Sequence, residues 1–193
     1  MGLAQKITAL TVDEYLALEE ASNIRHEFVD GYIHAMAGGT LNHNRISMDF
    51  GTLLNDRMMG KNCEAFVENI IVKISAAIYY YPDVVVAYDE IDGHESVIHN
   101  PVLVVEVLSK STEKIDRREK MIEYQMVSGL REYAIVTQDK MQIEVYRHDN
   151  AGEAWEGEIY TEPEQEVLFA SVGVKMLVSE IYKRVKFDVN INE

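Results

Sequence analysis

The chain has 193 residues, of which 47% are hydrophobic and 26% charged, as is ordinary for a folded protein with a sizeable core. Its net charge of -15 argues against a partner held mainly through many phosphate contacts. No apolar run reaches the length of a membrane span, the first residues lack a secretory signal, and one cysteine, Cys63, excludes an internal disulfide.

These bounds predict a cytoplasmic protein that forms a single domain over residues 1–193. We expect its core over about residues 9–150, further strands and a helix over 151–186, and a tail over 187–193. Charge is not uniform along the chain, since one short segment is basic. That segment contains Lys110, Lys114, Arg117, Arg118 and Lys120.

The first predicted elements are a capped helix and a hairpin. Thr11 and Glu14 have the spacing of a capping box, which begins a short helix over about residues 12–20. Asp30-Gly31 stands between two strand-like runs and predicts a two-residue hairpin turn.

Hydrophobic periodicity and turn residues predict the later elements. In chain order these are a helix at 42–59 ended by Gly60, strands at 64–75 with a break at 68–69, a strand at 79–87, a polar loop at 88–100, a buried strand at 101–108, a helix at 114–127, strands at 131–136 and 141–148, a strand near 167–174, and a helix at 177–184. The order is that of an α/β protein with a mixed β-sheet flanked by helices. It is not the regular alternation of a dinucleotide-binding fold.

Two acids lie in apolar strands. Glu106 is inside the run PVLVVEVL, where a carboxylate needs a cation, a metal or strong hydrogen-bond donors, unless it reaches solvent at a strand end. Asp83 follows Pro82 and opens the run VVV. If the two strands pair, they lie about 4.8 Å apart and the carboxylates can share one divalent ion. Oxygen ligands of this kind suit Mg²⁺ or Mn²⁺.

Asp116, Lys120 and Tyr124 are spaced four residues apart, so on a helix they share one face. One interpretation is an exposed ion pair worth about 0.3–0.5 kcal/mol. The other is a lysine directed at the two acids, where it stabilises charge that develops on a phosphate.

Four blocks of the sequence carry a family resemblance: HEFVDGYIHAMAGGTLNHNRI, YYYPDVVV, PVLVVEVLSKST and DRREKMIEYQMVSGLREYAIV. In order and spacing they resemble the Uma-two family of restriction endonucleases, a branch of the PD-(D/E)XK nuclease superfamily. The similarity covers roughly residues 9 to 150. It implies a restriction-endonuclease-like fold and an Mg²⁺-dependent endonuclease that hydrolyses the phosphodiester bonds of DNA, with Mn²⁺ as the alternative ion.

The resemblance also implies roles for single residues. Pro82-Asp83 matches the superfamily's PD element, and Glu106 matches its second acid, which makes Asp83 and Glu106 the metal ligands. The usual lysine position holds Leu108. The sequence resembles superfamily members whose lysine lies on the following helix, where Lys120 fits, with Lys110 as the competing residue.

Two further residues match family positions. Glu27 would complete the catalytic set of Asp83, Glu106 and Lys120, either as a ligand or by holding a metal-bound water. His43 matches a histidine frequent in the family, and a local hydrogen bond at the start of its helix is the competing interpretation. Many nucleases of the superfamily cut two strands as dimers, so we expect a homodimer.

Two other functions remain open on the sequence. The acidic net charge and Leu108 favour a non-catalytic module that retains the nuclease fold and binds nucleic acid or protein. The third hypothesis is a structural homodimer of a genomic defence system whose substrate groove forms only with a partner.

Overall fold

The computed structural model describes residues 9–36, 38–88, 96–109, 113, 116–148 and 154–187. Its helices are α1 (Val12–Ala21), α2 (Leu41–Met58), α3 (Met121–Gln125) and α4 (Val178–Ile181), and a π-helical turn at Asp116–Lys120 leads into α3. The strands are β1 (His26–Val29), β2 (Tyr32–Ala35), β3 (Cys63–Val67), β4 (Ile71–Lys73), β5 (Ile78–Tyr80), β6 (Val84–Tyr88), β7 (Val97–Ile98), β8 (Pro101–Leu108), β9 (Glu132–Thr137), β10 (Ile143–His148), β11 (Trp155–Tyr160), β12 (Glu166–Phe169) and β13 (Val174–Leu177).

The strands form two larger sheets and a hairpin. The six-stranded sheet has the order β11-β10-β9-β8-β6-β3, and the five-stranded sheet has the order β2-β1-β5-β4-β7. β12 and β13 pair with each other. In the six-stranded sheet β8 runs parallel to β9 and antiparallel to β6, so the π-helical turn and α3 form the crossover between two parallel strands.

Three apolar clusters divide the molecule into layers. One lies between the two large sheets, where Val104 and Leu108 of β8 meet Val72 and Tyr80. The second covers the other face of the six-stranded sheet with α2, the β12–β13 hairpin and α4. The third packs α1, through Tyr15, on the outer face of the five-stranded sheet. All eight residues of β8 are buried, as predicted for a strand covered on both faces.

Local turn chemistry sets two of the chain reversals as the sequence predicts. Asp30 and Gly31 both have positive φ, at 50° and 89°, which is the geometry of a tight hairpin turn. Glu68 and Asn69, at the predicted break, also have positive φ and separate β3 from β4. The capping box of α1 is present, with the Glu14 amide donating to Thr11 Oγ1 at 3.3 Å.

Three predicted elements are wrong in their boundaries. The strand predicted at 79–87 is two strands in different sheets, β5 and β6, because Pro82 interrupts the extended run. The strand near 167–174 is the hairpin of β12 and β13, and the helix at 177–184 is the short α4. In addition, the predicted loop at 88–100 contains β7, and β11 was not predicted because Trp155 stands in a polar stretch of the sequence.

Helix α2 approaches β3 so closely that only a glycine fits at position 51. A Cβ on Gly51 would lie 2.2 Å from Val67 Cγ2. We therefore expect Gly51→Ala to lower the free energy of unfolding by about 1–3 kcal/mol, because overlap outweighs the gain in helix propensity. Urea denaturation measures this. In Gly51→Ala/Val67→Ala the loss should be smaller than the sum of the single losses. A Gly51→Ala protein as stable as the parent would contradict the overlap.

Candidate functional site

The site lies between the two large sheets, and strand alternation directs Glu106 there. Along β8, Leu103, Val105 and Val107 face α2, whereas the alternate residues face the five-stranded sheet. Glu106 shares the second face and is 4% exposed. On β1, Phe28 packs towards α1, so its neighbour Glu27 points from the five-stranded sheet towards the same interior space.

Asp83 is placed beside Glu106 by strand pairing. Val84 of β6 pairs with Val105 of β8 in antiparallel register, so continuing the register by one residue sets Asp83 opposite Glu106. The Val107 amide donates to Asp83 Oδ2 at 2.6 Å, which fixes the carboxylate against β8. The pairing of the two acid-bearing strands, a condition of the sequence prediction, is therefore met.

Lys120 lies at the centre of a cluster of buried carboxylates. Its Nζ is 2.7 Å from Glu27 Oε1, 3.1 Å from Glu106 Oε1 and 3.4 Å from Asp116 Oδ1. We call Lys120, Glu27, Glu106 and Asp116 the Lys120 cluster. Because Lys120 is 5% exposed and Asp116 2%, the interpretation of these two as an exposed surface ion pair is wrong.

Aromatic side chains enclose the Lys120 cluster. The Lys120 ammonium lies 5.0 Å from the centre of the Tyr80 ring, within the range of a cation–π interaction. The Tyr124 hydroxyl donates to Glu106 Oε1 at 3.1 Å. The predicted common face of Asp116, Lys120 and Tyr124 is thus present, although a π-helical turn rather than a regular helix provides its first part.

Contacts to β9 and β10 fix the crossover segment that carries Lys120. Arg117 Nη1 donates to both oxygens of Glu144, at 2.6 and 2.8 Å, and Tyr133 donates to the Asp116 carbonyl at 3.0 Å. Arg117 also contacts Glu113 at 3.1 Å. Of the predicted basic segment, Arg117 and Lys120 are therefore paired with acids, Arg118 is exposed, and Lys110 and Lys114 lie outside the described residues.

The electrostatics of the cluster leave an excess of negative charge. Burial raises the pKa of Glu106 well above its usual range; Lys120 opposes this shift, and nearby carboxylates such as Asp116 add to it. Burial by itself would lower the pKa of Lys120, but Glu106 and Glu27 hold it well above the ordinary value, so the ammonium stays charged.

His43 contacts the Asp83 oxygen that the Val107 amide does not bind. Its Nε2 is 3.2 Å from Asp83 Oδ1. Burial would lower the pKa of His43, but the hydrogen bond and charge of Asp83, with the charge of Glu68, raise it above the usual value. His43 also makes the predicted local hydrogen bond, in which its amide donates to Thr40 Oγ1 at 3.1 Å. The two interpretations of His43 are both compatible with its position.

Another buried carboxylate, Glu19 of α1, supports the segments that carry the site residues. Tyr81 donates to Glu19 Oε2 at 2.8 Å, and His26 Nδ1 lies 2.8 Å from Glu19 Oε1. Tyr81 precedes Pro82-Asp83 and His26 precedes Glu27, so Glu19 ties together the two segments that carry these acids. Nothing in the sequence pattern singles Glu19 out.

A surface cleft of about 400 Å³ opens onto one end of this arrangement, and Asp83 and His43 lie in its wall. Its other lining residues are Asn23, Ile24, Arg25, Met36, Gly38, Gly39, Asn44, Glu68, Asn69, Tyr81 and Pro82. The cleft therefore gives a small molecule or a single chain direct access to Asp83.

Comparison with known proteins shows which family the chain resembles. The Uma2 family, described as "Putative restriction endonuclease", matches residues 12–177. An uncharacterised protein of Synechocystis sp., slr1290, is 35% identical over 180 residues, covering 92% of this chain and 94% of the relative. A second, sll1609 of the same organism, is 34% identical over 142 residues, covering 72% of this chain and 80% of the relative.

The chain belongs to the Uma2 family. The fold also agrees with a crystal structure from Anabaena variabilis, of a protein described as a "putative nuclease". That structure has a TM-score of 0.74 at 18% identity, and the alignment covers 90% of this chain and 98% of the other. The predicted family and the predicted restriction-endonuclease-like α/β fold are both confirmed.

For this Uma2 protein, the structure brings the four predicted catalytic residues into one region. Glu27, Glu106 and Lys120 are in direct contact, and Asp83 joins them through β8. Sequence reasoning gave no site role to Tyr80, although its position in an apolar strand three residues before Asp83 was visible. The competing Lys110 lies outside the described residues. No helix among the described residues is long and apolar enough to cross a membrane.

The Uma2 donor set suits a hard divalent cation, although the described side chains are not already arranged around one. Within the described ranges, no three His, Cys, Asp or Glu residues are grouped as a ready metal site. The Lys120 ammonium instead occupies the space between three of the carboxylates. Carboxylate oxygens with an excess of negative charge are nevertheless what Mg²⁺ and Mn²⁺ prefer, and Asp83 and Glu106 fit such an ion.

Removing the lysine charge should destabilise the fold strongly. In Lys120→Met the buried carboxylates lose their counter-ion, so we expect the free energy of unfolding to fall by about 3–5 kcal/mol. Denaturant unfolding in metal-free buffer measures the loss.

Lys175→Met is the matched control for Lys120→Met. Its ion pair with Glu166 is exposed, with side chains 60% and 51% accessible, and should contribute at most about 1 kcal/mol. Equal losses in the two variants would show that the Lys120 cluster contributes no more than a surface pair.

Proposed function

We propose that this Uma2 protein is an Mg²⁺-dependent endonuclease that hydrolyses phosphodiester bonds of DNA. The observation that carries the proposal is the Lys120 ammonium held against Glu106 of β8, whose neighbour β6 begins one residue after Asp83. A buried lysine beside two acids on paired strands can stabilise the negative charge that develops during phosphate hydrolysis. The family description and the nuclease-like fold support the same reaction class.

In this proposal Asp83 and Glu106 hold the metal ion. A bound Mg²⁺ supplies Lewis acidity towards the phosphate and a water of lowered pKa. The Val107 amide fixes the Asp83 carboxylate for this role, with Asp83 Oδ2 accepting at 2.6 Å. His43, 3.2 Å from Asp83 Oδ1, restrains the other oxygen.

Lys120 would stabilise the negative charge that develops on the phosphate as water attacks and the P–O bond breaks. Its ammonium is effective because it is buried, where Coulomb interactions are stronger than in water. Glu27 contacts Lys120 at 2.7 Å, which supports a role in orienting the lysine in addition to the proposed role with metal-bound water. Asp116, at 3.4 Å, would assist in the same way.

Asp83→Asn and Glu106→Gln should each lower the rate of DNA cleavage by about 10²–10³-fold, because each removes a charge on which the site depends. The measurement is cleavage of plasmid DNA in Mg²⁺ or Mn²⁺, with EDTA as the metal-free condition. Glu166→Gln, which alters an exposed carboxylate paired with Lys175, should retain the parental rate. Parental activity in Asp83→Asn would contradict the proposed site.

The metal requirement is testable without catalysis. We expect Mn²⁺ to bind the parent protein and to bind Asp83→Asn at least about tenfold more weakly, because a ligand is lost. Electron paramagnetic resonance of free Mn²⁺ reads the affinity directly. If neither Mn²⁺ binding nor cleavage is found, the chain is the non-catalytic binding module of the alternative hypothesis.

We also propose that the protein acts in the cytoplasm, where DNA is accessible, and as a homodimer. The exposed apolar residues Ile122 of α3 and Met126, which follows α3, support the dimer, because a second copy would remove them from water. Sedimentation equilibrium should give twice the mass of the 22.0 kDa chain. A monomer at micromolar concentration would contradict this part of the proposal.

A further inference from the structure

The cleft in front of Asp83 is small compared with a DNA duplex. Its volume of about 400 Å³ lies near the lower end of small-molecule pockets and is of the size that encloses a single nucleotide. Beyond the cleft wall, Glu106 is 4% exposed and Lys120 5%. A phosphate must therefore approach below the surface to reach these groups, which is easier for an unpaired strand than for a rigid duplex.

Among the described residues that line the cleft, few cations are available to hold a run of phosphates. Arg25 is the cation among the lining residues, and its Nη1 is engaged by the Glu19 carbonyl at 3.1 Å. Glu68 and Asp83 add negative charge to the wall. Proteins that grip a duplex make many Lys and Arg contacts to its backbone, so this wall is unsuited to that mode.

The same walls suit an unpaired base. Asn23, Asn44 and Asn69 provide amide groups that can donate to and accept from a base edge, and Ile24 and Met36 provide apolar surface for its face. Recognition of single strands relies on such contacts with splayed-out bases more than on backbone charge.

Several half-buried or exposed cations elsewhere on the described surface are paired with acids. Such pairs are Arg57–Glu180, Arg117–Glu144, Arg147–Glu158, Lys175–Glu166 and Arg184–Asp49. Together with the net charge of -15, this pairing reduces the positive charge that the described residues offer to a duplex.

We propose that the substrate of this site is unpaired DNA, with one nucleotide seated in the cleft and its phosphodiester presented to Asp83. This inference rests on the proposed nuclease function and deepens it by naming the form of the substrate. An unpaired segment of DNA fits the size of the cleft, its amide and apolar walls, and its low positive charge.

The first experiment compares three forms of one oligonucleotide in Mg²⁺ and in Mn²⁺: single-stranded, blunt duplex, and duplex with a single-stranded overhang. We expect the single strand and the overhang to be cleaved at least about tenfold faster than the duplex, because opening each base-pair step costs roughly that factor. A duplex cleaved as fast as the single strand overturns the inference and leaves the proposed nuclease function standing.

Binding separates failure of the inference from failure of the nuclease. If the parent protein cleaves no form of the oligonucleotide faster than Asp83→Asn does, the proposed function is wrong. Fluorescence anisotropy with the same labelled oligonucleotides in Ca²⁺ then decides the inference. Tighter binding of the single strand supports it, and equal or tighter binding of the duplex overturns it.

The salt dependence of that binding counts the phosphates engaged. For a strand held by one or two phosphates, the slope of log K against log salt concentration should be about -1 to -2. A slope of about -5 or steeper would indicate a long backbone contact and overturn the inference.

Variants at Gly38 test whether the substrate occupies this cleft. Gly38 lines the cleft and a Cβ there meets no atom within 4 Å, so a larger side chain can be placed at the cleft wall without a clash at its base. Cleavage of the single strand should fall from Gly38→Ala to Gly38→Phe, with at least about a tenfold rise in KM for the latter.

Met59→Phe is the control for Gly38→Phe. Met59 is 82% exposed and follows the far end of α2, an 18-residue helix whose first turn holds His43. The Met59→Phe substitution should leave the KM for the single strand unchanged. Circular dichroism melts verify that each variant folds. A folded Gly38→Phe with parental KM overturns the inference, and if that variant does not fold, the comparison of strands and the salt slope decide it with the parent protein.

Discussion

The structure depends on the burial of one ammonium group among carboxylates that come from three separate elements. Glu27 belongs to the five-stranded sheet, Glu106 to the six-stranded sheet, and Asp116 to the turn that carries Lys120 itself. Removing charges from water is costly, and it is tolerated only where partners are in close contact. The ion pairs therefore require both sheets and the crossover to be in place together.

This requirement explains the supporting contacts around the site. Arg117 and Glu144 hold the crossover against β10, while Glu19 connects the segments that lead to Asp83 and Glu27. Each of these contacts places a buried or half-buried carboxylate against hydrogen-bond donors, so that its desolvation is offset. Several acids of the chain are used internally in this way, although the net charge alone suggests only repulsion of nucleic acid.

A cluster with more carboxylates than cations is well suited to recruit a divalent ion and poorly suited to attract a polyanion. The cleft continues this character to the surface, because its wall is neutral or acidic except at Arg25. Proposed metal binding and proposed selection of an unpaired strand thus follow from the same charge distribution. Burial contributes as well, since Glu106 and Asp116 lie below the surface while Asp83 lies in the cleft wall.

Much of the candidate site is predictable because acids are rare inside apolar strands. The run PVLVVEVL shows a buried strand without further information, and the desolvation cost of Glu106 marks it as special. The fourfold spacing of Asp116, Lys120 and Tyr124 likewise shows a shared face. It does not show whether that face points to water or to protein. Only the burial of Lys120 in the structure decides against an exposed ion pair.

The sequence by itself determined the helix caps, the tight turn at Asp30-Gly31, the buried strand β8 and the family, because these depend on local conformational preference and on short patterns. The tertiary structure alone decided that the run around Pro82 divides between two sheets, that β6 pairs with β8 in the register that sets Asp83 beside Glu106, and that Glu19 supports both. These features are contacts between residues far apart in the chain. They depend on packing and on the cost of burying charge, which no local pattern encodes.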